Sequence, residues 1–142
     1  MEETARRTPE VSLKETFLLA VAGLPGEDVR AGVVAEALWY LQRGFDAHYA
    51  AGGATDDDVL VGDNAYALAV ETIARLDEPR FVAVASRMIR DGAGRIAAGG
   101  AVTMEMWTPH LAGLLDIISE EDAERSEARI REAAQDLRDR SG

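Results

Sequence analysis

The chain has 142 residues, 47% of them hydrophobic, enough to build one core without staples, because a chain of this size buries about 70% of its unfolded surface. Lys plus Arg is 15 and Asp plus Glu is 26, so the formal charge is 15 − 26 = −11, which repels nucleic acid and anionic lipid surfaces. Cysteine is absent, and the two histidines, His48 and His110, lie far apart; this excludes disulfides and thiolate metal sites and leaves no ligand spacing for zinc.

Residues 1–10 are polar and are expected to form a flexible N-terminus ahead of a single helical domain over residues 11–142. Their acids and their lack of an apolar run argue against a signal peptide. No run of about 18 apolar residues is present, so no membrane span is expected and a cytoplasmic location is. In the first helix, Leu13, Phe17, Ala20, Val21 and Leu24 recur at helical spacing, and Gly23, Pro25 and Gly26 then punctuate. Asp28 is placed to cap a long second helix reaching Ala50. Val29, Val33, Ala37, Tyr40, Leu41, Phe45 and His48 form its broad apolar face, with Leu38 and Trp39 on the flanks. Residues 51–55 read as a flexible link.

Asp56, Asp57 and Asp58 open a third helix, where acids complement the macrodipole. Three consecutive carboxylates on a helix point in three directions, so capping explains them better than a metal site does. Val59, Tyr66, Val70, Ile73 and Ala74 are expected inside. Asp63 falls among them on the helical wheel, so the sequence predicts a carboxylate on the apolar side that needs a partner. It reads either as part of a buried polar network or as a ligand or general base.

Glu78-Pro79 starts a fourth helix marked by Phe81, Val84, Ala85, Met88, Ile89 and Ile96. Gly92 and Gly94 weaken it or admit another helix closely, and Gly99-Gly100 breaks it. Thr108-Pro109 reads as the cap and first residue of a fifth helix ending near Ile118, and Ser119 with Asp122 opens a charged final helix to Arg138. No segment alternates as a strand does. The fold class expected is all-α, a bundle of five or six helices.

Three residues stand out as candidate site residues: Asp46 and His48 near the end of the second helix, and Asp63 on the third. Asp46 has Arg43 three residues back for a surface pair, and His48 fits the edge of the core. Positions i and i+2 diverge on a helix, so Asp46 and His48 alone build no triad. No glycine fingerprint follows a strand, and nothing supports a nucleotide site.

Two segments together resemble a known family. Leu60 through Ala69, with Gly62-Asp63 at its centre, resembles the "L-x-G-D-x-L-x-x-x-A" helix of trans-isoprenyl diphosphate synthases. Upstream, Asp46 falls at the first aspartate of that family's D-D-x-x-D motif, with Ala47 and Ala50 in place of the other two. Gln42 to His48 followed by Val59 to Asn64 is similar to the small, non-catalytic component of two-component heptaprenyl or hexaprenyl diphosphate synthases. The resemblance covers about residues 28–98 and stops at Gly99.

It implies a truncated isoprenoid-synthase bundle that is not catalytic by itself. It also implies no cofactor of its own, since magnesium would belong to the catalytic partner. The family's second aspartate cluster would lie beyond the last residue. The partner implied is a catalytic prenyl diphosphate synthase subunit, and the role is to set product length, for a menaquinone side chain. A homo-oligomeric helical binding protein, for instance a homodimer, that has kept the fold and lost the pathway is the alternative, and an enzyme of another class using Asp46, His48 and Asp63 is a third reading. Apolar surface left on the second and third helices is expected to mark the interface.

Overall fold

A computed structural model describes residues 11–24, 29–50, 56–119 and 122–141, with the side chains of 49–50, 56–58 and 141 outside that description. The described residues form six helices and no strand: α1 (Leu13–Ala22), α2 (Val29–Ala50), α3 (Asp56–Ala74), α4 (Pro79–Ala97), α5 (Met104–Ser119) and α6 (Ala123–Ser141). The all-α bundle expected from the periodicity is the fold. The expected roles of Asp28 as a cap and of Asp56–Asp58 as capping side chains, the flexibility of residues 1–10 and the link at 51–55 lie outside the described residues.

Local chemistry fixes most helix ends. The Ser12 hydroxyl accepts from the Glu15 N–H at 3.1 Å, an N-cap that satisfies one orphan donor of α1. Glu78 caps α4 by accepting from the Arg80 N–H, with Pro79 at the first helical position. Its carboxyl is held below the usual carboxylate range by the side-chain and backbone hydrogen bonds from Arg80. Just before it, Asp77 turns the chain in the left-handed region, at φ 53, a conformation that Asp tolerates better than most residues. Gly99, at φ 83, supplies the same turn after α4.

Two expected starts move. Helix α5 begins at Met104 rather than at Pro109, because the Thr103 hydroxyl accepts from the Met106 N–H at 3.2 Å and caps it there. Thr108 is buried inside the helix and donates its hydroxyl to the Met104 carbonyl at 3.0 Å. Pro109 therefore falls inside the helix, as its sixth residue, where it has no N–H to offer the Glu105 carbonyl. Helix α6 is capped by Asp122, which accepts from the Arg125 N–H at 2.9 Å, while Ser119 ends α5.

Helix α2 is central, packing on α1, α3, α4 and α5, while α6 lies over α1 and α5. Phe17, Leu38, Leu41, Phe45, Ile73, Phe81, Met88, Trp107 and Leu111 are fully buried within one contiguous core cluster. The charged helix α6 covers more than its composition suggests. Ile130, Ala133 and Ala134 are buried, and the buried Ser126 hydroxyl donates to Asp116 on α5. Among the described residues α3 packs on α2 and α4 alone, so it forms an edge of the bundle.

Candidate functional site

Of the three site residues picked from the sequence, His48 and Asp63 meet at the crossing of α2 and α3. Gly44 and Gly62 make that crossing close. A Cβ on Gly44 would stand 2.4 Å from Tyr66 Cε1 and 3.2 Å from the Gly62 carbonyl oxygen. A Cβ on Gly62 would stand 1.9 Å from His48 Cδ2 and 3.2 Å from the Gly44 carbonyl oxygen. Each helix thus lays an aromatic ring over the other's glycine, and only glycine leaves room for it. Both glycines weaken their helices by about 1 kcal/mol against alanine, so their use here is steric.

Around the crossing the interior is filled with rings. Phe45 stacks on Trp107 of α5 with centroids 4.8 Å apart and planes at 20°, and tilts against Tyr66 at 5.4 Å. His48 lies 5.1 Å from Tyr66. Gly92 of α4 meets both Phe45 and Trp107, the close approach that its place inside a helix suggested. Beyond Trp107, His110 Nε2 faces Asp91 Oδ2 at 3.0 Å and ties α5 to α4.

Polar atoms in this packing are underserved. The Tyr66 hydroxyl and Trp107 Nε1 are buried and have no hydrogen-bond partner among the described residues. Such a group costs about 1–3 kcal/mol. Burial, with the nearby Asp63 charge, pushes the Tyr66 phenol well above its ordinary value and keeps it protonated.

Asp63 is not where the helical wheel placed it. Its side chain is 60% exposed, and its Oδ1 lies 3.2 Å from His48 Nε2, in ion-pair range though not aligned for a hydrogen bond. The buried stripe of α3 runs through Gly62, Ala65, Tyr66, Ala69, Thr72 and Ile73, and Asp63 stands to one side of it. Val59 and Ala74, also expected inside, are exposed as well. An exposed pair contributes little, about 0–1 kcal/mol. Asp63→Ala is therefore expected to move the melting temperature by no more than about 3 °C; a thermal-unfolding curve shifted by about 10 °C would show the carboxylate to be part of the core.

His48 is at the edge of the core as expected, its side chain 20% exposed, and Asp46 is half-buried. Arg43 lies over the Trp39 ring at 4.8 Å, a cation–π contact on the outer side of α2. The structure brings His48 and Asp63 together, but no three His, Asp or Glu side chains among the described residues are grouped to hold a metal ion. Gln42 serves the packing of α1 on α2, because its Oε1 accepts the N–H of Leu13, the first residue of α1, at 2.9 Å.

Two features had only weak signals in the sequence. The glycine seats at 44 and 62 were visible as glycines within helical patterns, but nothing in one helix alone says that they meet. A groove of about 190 Å³ between α1 and α6, lined by Leu19, Gly23, Arg129, Glu132 and Asp136, lies on different elements from the crossing. Among the described residues no helix is long and apolar enough to cross a membrane. No protein-family model matches the chain, and neither does any curated protein or solved structure.

Proposed function

We propose that this protein is a non-catalytic subunit that pairs with a catalytic prenyl diphosphate synthase in the cytoplasm and helps set product length, for a menaquinone side chain. The sequence resemblance over residues 28–98 supplies the family. The observation that carries the non-catalytic part of the reading is the broken motif, with Ala47 and Ala50 where the family has two further aspartates. Ionising an allylic diphosphate needs magnesium held between the diphosphate and several carboxylates. Of the motif that would hold it, this chain keeps Asp46, while Gly44 and Gly62 elsewhere on the same helix pair bring the backbones together and the rings of Phe45, Tyr66 and Trp107 fill the interior. The Asp63 carboxylate faces His48.

Magnesium and diphosphate then belong to the partner's site, and this chain contributes a wall to it. Helix α2 suits such a role because packing on four other helices holds it rigidly. The purified protein, given farnesyl diphosphate, isopentenyl diphosphate and magnesium, is expected to make no elongated product. Elongation that follows the protein through purification, and is lost on Asp46→Ala, would overturn the reading.

A further inference from the structure

Near its start, helix α3 leaves a run of apolar side chains exposed. Val59 stands seven residues before Tyr66, and Val61 eleven before Thr72, which places each at nearly the same azimuth as its buried counterpart. Tyr66 and Thr72 are 8% and 2% exposed, yet Val59 and Val61 are 39% and 50% exposed. Leu60, between them on the outer face, is 65% exposed. Three consecutive apolar side chains span about 200° of the helix circumference, so no single neighbouring helix of the bundle could cover them all. A clustered apolar surface of this kind marks an interaction site, where scattered exposed residues would not.

The charge of the surrounding chain selects what covers it. Residues 44–74 contain six acidic residues and no Lys or Arg. Asp56, Asp57 and Asp58 precede the apolar triplet, and Asp63 follows it, exposed. A second copy of this chain would bring acid against acid on top of a formal charge of −11 per chain. Like charges across an interface disfavour the wrong partner, and opposite ones fix the right one.

We infer that the tip of α3, Val59 to Val61, docks into an apolar depression rimmed by Lys or Arg on a different protein. In naming that protein as the catalytic synthase subunit, the inference rests on the function proposed above.

The test is the affinity of the purified chain for the catalytic synthase of its own organism, measured by calorimetry at low and at raised salt. Leu60→Asp places a charge in the centre of the triplet. The fold should tolerate it, because the position is exposed and an acid near a helix N-terminus is favourable. Val29→Asp, at a residue 84% exposed on another helix, is the control.

The wild type and the control are expected to bind alike, Leu60→Asp to bind at least about tenfold more weakly, and wild-type binding to weaken as salt screens the opposite charges. Wild-type binding that Leu60→Asp leaves unchanged would overturn the docking site and leave the subunit reading standing. Self-association that strengthens with salt and is broken by Leu60→Asp would make a second copy the occupant and overturn the choice of partner. A wild type that binds no synthase overturns both.

Discussion

Trp107→Ala is expected to destabilise the fold by about 3–5 kcal/mol, the cost of removing a large aromatic from a closed core. Trp107 is 0% exposed and is the largest of the fully buried side chains. It stacks on Phe45, approaches His110 at 5.8 Å and reaches the α4 backbone at Gly92. Three helices therefore lose a shared contact at once, and neighbours held from several sides cannot collapse fully into the space. The loss is packing and not hydrogen bonding, because Nε1 has no partner among the described residues. At about 3 °C per kcal/mol for a chain of this size, the melting temperature should fall by roughly 10 °C or more. Far-UV circular dichroism against temperature reads this directly, and a fall of less than about 3 °C would place Trp107 outside the core.

Gly92→Ala and Gly94→Ala are expected to have opposite signs, although the two positions are two residues apart on one helix. Alanine gains about 1 kcal/mol of helix propensity over glycine at either site. At Gly94 a Cβ meets nothing within 4 Å, so that gain should appear as added stability. At Gly92 a Cβ would stand 2.5 Å from Phe45 Cε1 and 2.8 Å from Trp107 Cη2. Both rings are fully buried and cannot swing into solvent. Overpacking of this kind costs about 1–3 kcal/mol and more where rings are trapped, which outweighs the propensity gain. Because the propensity gain is common to both, urea titration of the two variants should separate them by the overpacking cost, about 1–3 kcal/mol or more, and equal midpoints would show that the rings do not close on Gly92.

Periodicity alone made the helices and most of their order legible, because the apolar repeat on α1, α4 and α5 is carried by large residues. Leu13 and Phe17 on α1, and Phe81, Val84 and Met88 on α4, are all buried as their spacing predicts. The face of α3 was misjudged for a physical reason. A wheel weighted by large apolar residues centres on Val59, Tyr66 and Val70 and draws Asp63 inward. The real contact stripe is built from small residues, Gly62, Ala65 and Ala69, because the α2–α3 crossing is too close for anything larger. The centre of α2 shifted similarly: Val29 is exposed, while Leu38, taken as a flank, is fully buried.

Helix starts failed where two caps competed. Thr103 and Thr108 each carry a hydroxyl suited to a cap, and Thr103 caps α5 while Thr108, inside the helix, turns back to a carbonyl. Of the site, His48 at the core edge was legible from its position. Its pairing with Asp63 was not, since the register between two helices cannot be read from either one. The Asp91–His110 tie between α4 and α5 was missed for the same reason.

The most direct measurement of the proposed role is the product-length distribution of the catalytic synthase as this protein is titrated into it. With isopentenyl diphosphate and an allylic primer, mass spectrometry of the dephosphorylated products reads each chain length separately. A length-setting subunit should shift the distribution progressively and saturate at a fixed subunit ratio, while producing nothing in the synthase's absence. A distribution that stays the same across the titration, with the added protein folded by circular dichroism, would contradict it.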